Sequence, residues 1–142
     1  MRAIAIDTNA YVGFKRGDLN CLEVFQNADP LLISTIVLGE LLAGFACGNR
    51  EGQNRVELER FLAAERVQLM TCGMATAGAY AGIFRQLRMQ GRPIPSHDIW
   101  IAANCLERGA PLFSFDAHFR SILGLRCGQA WADLALDRPE MS

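Results

Sequence analysis

Leu31-Leu32-Ile33-Ser34-Thr35-Ile36-Val37-Leu38-Gly39-Glu40-Leu41-Leu42 reads as a strand that runs straight into a helix. Leu31, Leu32 and Ile33 are apolar without alternation, the pattern of a strand covered on both faces. Ser34 and Thr35 follow, and both residue types cap helix N-termini. From Ile36 to Phe45 the apolar residues lie on most sides of a helix, so that helix is largely buried as well. Gly48-Asn49 ends it. The same punctuation occurs upstream. Ala3-Ile4-Ala5-Ile6 is a short buried strand ending in Asp7-Thr8-Asn9, a turn or helix start. Leu19 to Ala28 has helical spacing and stops at Asp29-Pro30, because proline restricts the residue before it.

Downstream, Arg55 to Glu65 predicts a charged helix with Val56, Phe61 and Leu62 facing inward, and Val67 to Met70 a third strand. Ala75 to Gln90 carries a helical stripe of Tyr80, Ile83, Phe84 and Leu87, and ends at Gly91-Arg92-Pro93. Ser96 is placed to cap a helix from His97 to Arg108 that Gly109 closes. Leu112 to Phe115 predicts a fourth strand, followed by a turn or short helix through Ile122; Arg126-Cys127 suits an edge strand. Strands separated by helices imply a parallel sheet with helices on both faces. The fold class expected is therefore α/β, a three-layer α/β/α sandwich around a parallel sheet of four to five strands. A single domain over 1–136 and a polar tail over 137–142 are expected.

The whole-chain properties agree. A chain of 142 residues suits one domain, and 51% hydrophobic against 20% charged residues excludes disorder. The formal net charge of −1 removes global basicity as a reason for nucleic-acid binding, though not a locally basic groove. Asp7 interrupts any signal-peptide core, and Gly39 and Glu40 break the stretch from Ile33 to Leu42. No membrane span and a cytoplasmic location are expected. The five cysteines are odd in number and contain no C-x-x-C, so they read as small core residues of a reducing compartment and not as disulfides or zinc ligands.

Four acidic residues stand out by their settings. Asp7 and Asp116 follow predicted strands, Asp98 sits in the first turn of a helix, and Glu40 lies about one and a half turns into another. Singly, Asp7 and Asp116 also suit turns or caps, and Asp98 suits the helix dipole. Glu40 inside Val37-Leu38-Gly39 and Leu41-Leu42-Ala43 is harder to explain by structure alone. Together they fall at element ends that a parallel sheet brings to its carboxyl edge, the usual ligand crevice. Four clustered carboxylates repel one another and lose solvation, and a hard divalent cation offsets that cost. Mg²⁺ or Mn²⁺ suits such a site, and phosphodiester hydrolysis suits such a metal.

Four blocks carry a family resemblance: Ala5-Ile6-Asp7-Thr8-Asn9; Ser34 through Gly44; Ile94-Pro95-Ser96-His97-Asp98-Ile99-Trp100-Ile101-Ala102-Ala103; and Phe115-Asp116-Ala117-His118-Phe119 with Gly124-Leu125. In this order the chain resembles a PIN domain, and more narrowly the VapC-type toxins of bacterial toxin–antitoxin pairs. The resemblance implies a Mg²⁺- or Mn²⁺-dependent endoribonuclease that hydrolyses RNA with metal-activated water. It also implies a homodimer inhibited by a small VapB-like antitoxin. By position, Asp7 and Asp98 would be the main metal ligands, Glu40 would support the metal or its water, and Asp116 would complete the cluster. Thr8, Asn9 and Ser114 would be hydrogen-bond partners of these acids. His97 and His118 are read as structural or surface residues. Tyr80 and Trp100 are read as core or dimer packing ahead of base stacking.

Thirteen of the fourteen basic residues are Arg, with Lys15 the single Lys. Arg85, Arg88 and Arg92 are spaced to share one helix face, which suits either RNA phosphates or solvent. The alternative function is a PIN-like module that binds RNA or protein without cutting; the presence of all four acids counts against it. A phosphotransfer receiver requires a Lys near its last strands, where this chain has none. A dehalogenase-type phosphatase requires Asp-x-Asp where this chain has Asp7-Thr8-Asn9.

Overall fold

The computed structural model describes residues 2–134; the last two residues of the expected domain and the tail at 137–142 lie outside the described residues. Five short strands form one all-parallel sheet: β1 (Ile4–Ile6), β2 (Leu31–Ser34), β3 (Val67–Met70), β4 (Leu112–Phe113) and β5 (Cys127–Gly128). Their spatial order is β3-β2-β1-β4-β5. The helices are α1 (Thr8–Lys15), α2 (Leu19–Asn27), α3 (Thr35–Ala46), α4 (Glu51–Leu62), α5 (Met74–Met89), α6 (Ser96–Arg108) and α7 (Trp131–Leu134), with a 3₁₀ turn at Ala117–Ser121. This is the expected α/β sandwich with its parallel sheet.

The register explains where a site can form. β1 pairs with β2 through Ile4–Leu31, Ala5–Leu32 and Ile6–Ile33, and with β4 through Ala5–Leu112 and Ile6–Phe113. From β1 the chain moves outward to β2 and β3, then returns to the other side of β1 for β4 and β5. The winding therefore reverses between β1 and β4. In open parallel sheets such a reversal leaves a crevice at the carboxyl ends of the strands. Asp7 and Ser114 are the next residues after the last paired rung.

The core is apolar and continuous. Ile4, Ile6, Leu31, Ile33, Leu112 and Phe113 are fully buried with Val24, Phe25, Ile101 and Phe119. Each such side chain contributes roughly 1.5–3 kcal/mol relative to exposure. Capping follows local chemistry. Asp7 and Asp18 accept from Ala10 and Cys21 backbone N–H, and Ser34 from Ile36 N–H at 3.0 Å. Gly109 ends α6 with φ of 65°, a left-handed conformation that glycine adopts without strain.

Several expectations require correction. Helix α3, expected to be largely buried, buries only Val37 and Leu41, because one face alone packs on the sheet. The helix expected from Arg55 begins at Glu51, and Val56 faces out at 46% exposure while Leu58 is buried. Leu58, Phe61 and Leu62 share a face at i, i+3 and i+4, and Val56 is about 200° from Leu58 on that helix. Ser96 is the first residue of α6 and not its cap; Pro95 takes that place, and the Ser96 hydroxyl accepts from Tyr80 Oη at 3.4 Å. Phe84 is 46% exposed despite its place in the apolar stripe of α5. Tyr80 stacks on Trp100 with ring centroids 4.3 Å apart, so both rings join α5 to α6. Only Cys21 and Cys105 are buried; Cys47 and Cys72 are exposed. Strand β4 ends at Phe113; Ser114 N–H still donates to the Gly128 carbonyl at 3.0 Å, and the Ser114 hydroxyl accepts the Asp116 backbone N–H at 3.0 Å as the chain enters the 3₁₀ turn.

Candidate active site

Asp7, Thr8, Asn9, Glu40, His97, Asp98, Ile101 and Asp116 line one cleft of about 260 Å³ at the carboxyl edge of the sheet. Every acid singled out in the sequence is here. Asp7 leaves β1 and is 5% exposed. One of its oxygens accepts from Ala10 N–H at 2.9 Å, and the other accepts from the Ser114 hydroxyl across the reversal between β1 and β4. The Asp7 carboxylate is thus held from two elements. Thr8 donates its hydroxyl to Glu40 Oε1, which ties α1 to α3. Asn9 lines the cleft and is exposed.

Asp98 is on the first turn of α6 and is 6% exposed. A buried polar tie fixes that helix. Ser34 donates to Asn104 Oδ1 at 2.7 Å, and Asn104 Nδ2 donates to the Thr71 carbonyl at 3.2 Å. These bonds pin α6 to the ends of β2 and β3, and so set Asp98 relative to Glu40 on α3. Asp116 is at the start of the 3₁₀ turn, where its Oδ1 accepts from His118 N–H at 2.9 Å. The sequence places Asp116 at a strand end; the structure places it three residues beyond β4, still over the same crevice.

The electrostatics are unusual. No Lys or Arg among the described residues pairs with any of the four acids. Burial pushes the Asp7 carboxyl up to about 6, and the nearby Asp116 and Asp98 charges add to the rise against the Ser114 and Ala10 hydrogen bonds. Burial also raises Asp98, opposed chiefly by its hydrogen bond to His118. What faces the acids instead is imidazole. His97 Nε2 is 3.1 Å from Glu40 Oε2 and 3.4 Å from Asp98 Oδ1. His118 Nδ1 is 3.1 Å from Asp98 Oδ2 and 3.2 Å from Asp116 Oδ1. Their place in the sequence suggests structural or surface roles for both histidines. The structure puts them between carboxylates, and their adjacency to Asp98 and Asp116 in the chain was the available signal.

The three arginines are not part of this cleft. Helix α5 ends at Met89 and Gly91 reverses the chain at φ of 65°, so Arg92 lies off the helix and does not share a face with Arg85 and Arg88. Arg92 lines a separate shallow cleft with Arg120 and Ser121.

Short parallel strands, helices on both sides and four carboxylates at the winding reversal define the class: an α/β/α protein with an acidic site at its carboxyl edge. The chain belongs to the PIN domain family, whose model matches residues 4–124. It is 31% identical to Ribonuclease VapC2 of Haemophilus influenzae over 124 residues, covering 85% of this chain and 92% of that protein. It is 29% identical to Ribonuclease VapC1 of Rickettsia felis over 125 residues, covering 86% and 92%. Among solved structures it is similar to VapBC-1 from nontypeable Haemophilus influenzae, with a TM-score of 0.75, 25% identity, and coverage of 89% of this chain and 96% of that one.

Proposed function

We propose that this protein is a divalent-metal-dependent endoribonuclease and the toxin of a toxin–antitoxin pair. The observation that carries the reading is the convergence of Asp7, Glu40, Asp98 and Asp116 without a Lys or Arg counter-charge. Similarity to two ribonucleases named VapC over more than four-fifths of the chain supports RNA as the substrate. Similarity to a VapBC structure supports a small VapB-like antitoxin as partner. Residues 1–136 would act as one catalytic unit, in a homodimer and in the cytoplasm. Among the described residues no helix is long and apolar enough to cross a membrane.

The donor set fits a hard cation. Carboxylate oxygens are the preferred ligands of Mg²⁺ and Mn²⁺, and buried like charges gain most from a positive centre. Asp7 and Asp98 would be its main ligands, with Glu40 and Asp116 completing the set. When bound, such an ion activates water toward a phosphodiester and offsets the negative charge that develops. The chain's own groups do the positioning. Ser114 and Ala10 hold Asp7, Thr8 orients Glu40, and the Ser34–Asn104 tie sets the height of α6.

Controlled expression in a bacterium, wild type beside Asp98→Asn, tests the reading. Growth arrest with new discrete RNA fragments is expected only with the wild type. Folded, soluble wild-type protein that causes neither outcome would favour a binding module without cleavage.

A further inference from the structure

We infer that His118 is a nitrogen ligand of the divalent cation and biases the site toward first-row transition ions such as Mn²⁺ over Mg²⁺. The inference rests on the metal-site reading above and adds a ligand to it. Among the described residues, the ligand atoms that all lie within 4.8 Å of one another are those of Asp98, Asp116 and His118. His118 Nδ1 stands 3.1 Å from Asp98 Oδ2 and 3.2 Å from Asp116 Oδ1. Neighbouring ligands on an octahedral ion with ~2.1 Å bonds are separated by ~3.0 Å, so the spacing suits a shared ion.

The chemistry of the ring points the same way. A divalent ion among these three groups would be ligated by the imidazole nitrogen and by both carboxylates at once. His118 Nε2 forms no hydrogen bond among the described residues, which leaves Nδ1 as the nitrogen committed to the cluster. The backbone adds placement: His118 N–H donates to Asp116 Oδ1 at 2.9 Å. Asp116 therefore stays oriented when the imidazole is removed, and the effect of the ring can be read separately.

The bias follows from ligand preference. Mg²⁺ gains little from imidazole and keeps oxygen ligands and water, while first-row transition ions accept nitrogen more readily. His97 sits on the other side of Asp98 and bridges to Glu40. It supplies the control.

The test uses the full chain loaded with Mn²⁺. Electron spin-echo spectroscopy should show ¹⁴N coupling to Mn²⁺ in the wild type and in His97→Ala, and none in His118→Ala. Titration calorimetry should show that His118→Ala weakens Mn²⁺ binding by roughly 10–100-fold and Mg²⁺ binding by much less. Mn²⁺ binding that requires Asp98 but shows no nitrogen coupling in the wild type overturns this inference alone. So does coupling that survives His118→Ala. Absence of saturable Mn²⁺ binding, or binding that survives Asp98→Asn, overturns the metal-site reading together with it. If His118→Ala does not fold, the spectrum of His97→Ala decides the matter, because His118 is then the one histidine left in the chain.

Discussion

Two clefts of this molecule make opposite use of charge. The larger, about 590 Å³, is lined by Tyr11, Lys15, Phe45, Arg50, Gln53 and Glu57 among others. Most of its charges are linked to one another. Lys15 Nζ is 3.1 Å from Glu57 Oε1, Gln53 donates to Glu57 at 3.2 Å, and Arg50 donates to Gln53 at 2.9 Å. The Lys15 contact holds the Glu57 carboxyl below its usual range. The smaller cleft gathers Asp7, Glu40, Asp98 and Asp116 with only imidazoles between them. Size alone would select the larger cleft. An electrostatic cost held in place by several elements is the better sign of chemistry, because such a cost persists where function requires it.

The largest test of this contrast is catalytic. Asp7→Asn or Asp98→Asn should lower RNA cleavage by roughly 1,000-fold or more, since each removes a charged ligand of the proposed ion. Glu57→Gln in the larger cleft should leave cleavage within about threefold. Rates on a fixed RNA with added Mg²⁺ measure both. Equal losses in the two clefts would break the comparison.

Next is the dependence of stability on pH. The Asp7 carboxyl is raised from 3.8 to about 6, so the fold binds its proton more tightly than the unfolded chain does. The stability this represents is fully present below about pH 4 and is lost as pH rises through about 6. Metal-free protein should therefore unfold more easily at pH 7 than at pH 4.5, by on the order of 2 kcal/mol from Asp7. Asp7→Asn should flatten the profile, and Mg²⁺ should restore stability at pH 7. Urea unfolding with chelator, at several pH values, shows whether the slope has this sign.

Removal of the Ser114 hydroxyl is a smaller change. Ser114→Ala leaves Asp7 without its link to β4 and should cost about 1–2 kcal/mol in folding. It should also slow cleavage roughly tenfold through misplaced geometry. Ser114→Thr keeps the hydroxyl and should recover most of both. The smallest effect belongs to the larger cleft. Lys15→Ala breaks an exposed pair and should leave the denaturation midpoint unchanged within error. A clear loss there would show that the paired cleft contributes more than its exposure suggests.

Much of this was legible in the chain itself. Apolar runs at Ile4–Ile6 and Leu31–Ile33, punctuated by Asp, Ser and Pro, specify buried parallel strands because local periodicity and capping act over a few residues, whereas Val67–Met70 is an edge strand with Gln68 and Leu69 exposed. Gly109 and Ser34 end and start helices for equally local reasons. The four acids were legible because each sits where the pattern gives no structural need for all of them at once, Glu40 most of all.

What local pattern cannot carry is direction in space. Val56 and Leu58 are both apolar, and only the packing of α4 decides which is buried. Arg92 has helical spacing from Arg85, yet the reversal at Gly91 takes it off the helix. Asn104 reads as an ordinary helix residue until Ser34 and Thr71 meet it from strands far away in sequence.

The sequence by itself determined the alternation of strands and helices, and the identities of the carboxylates at their ends. The tertiary structure alone decided that His97 and His118 stand between those carboxylates, and that Ser114 closes on Asp7 across 107 positions of chain. The reason is physical. Caps and periodicities are energies of neighbouring residues, whereas a hydrogen bond across the β1–β4 reversal exists only after the sheet has brought its carboxyl ends together.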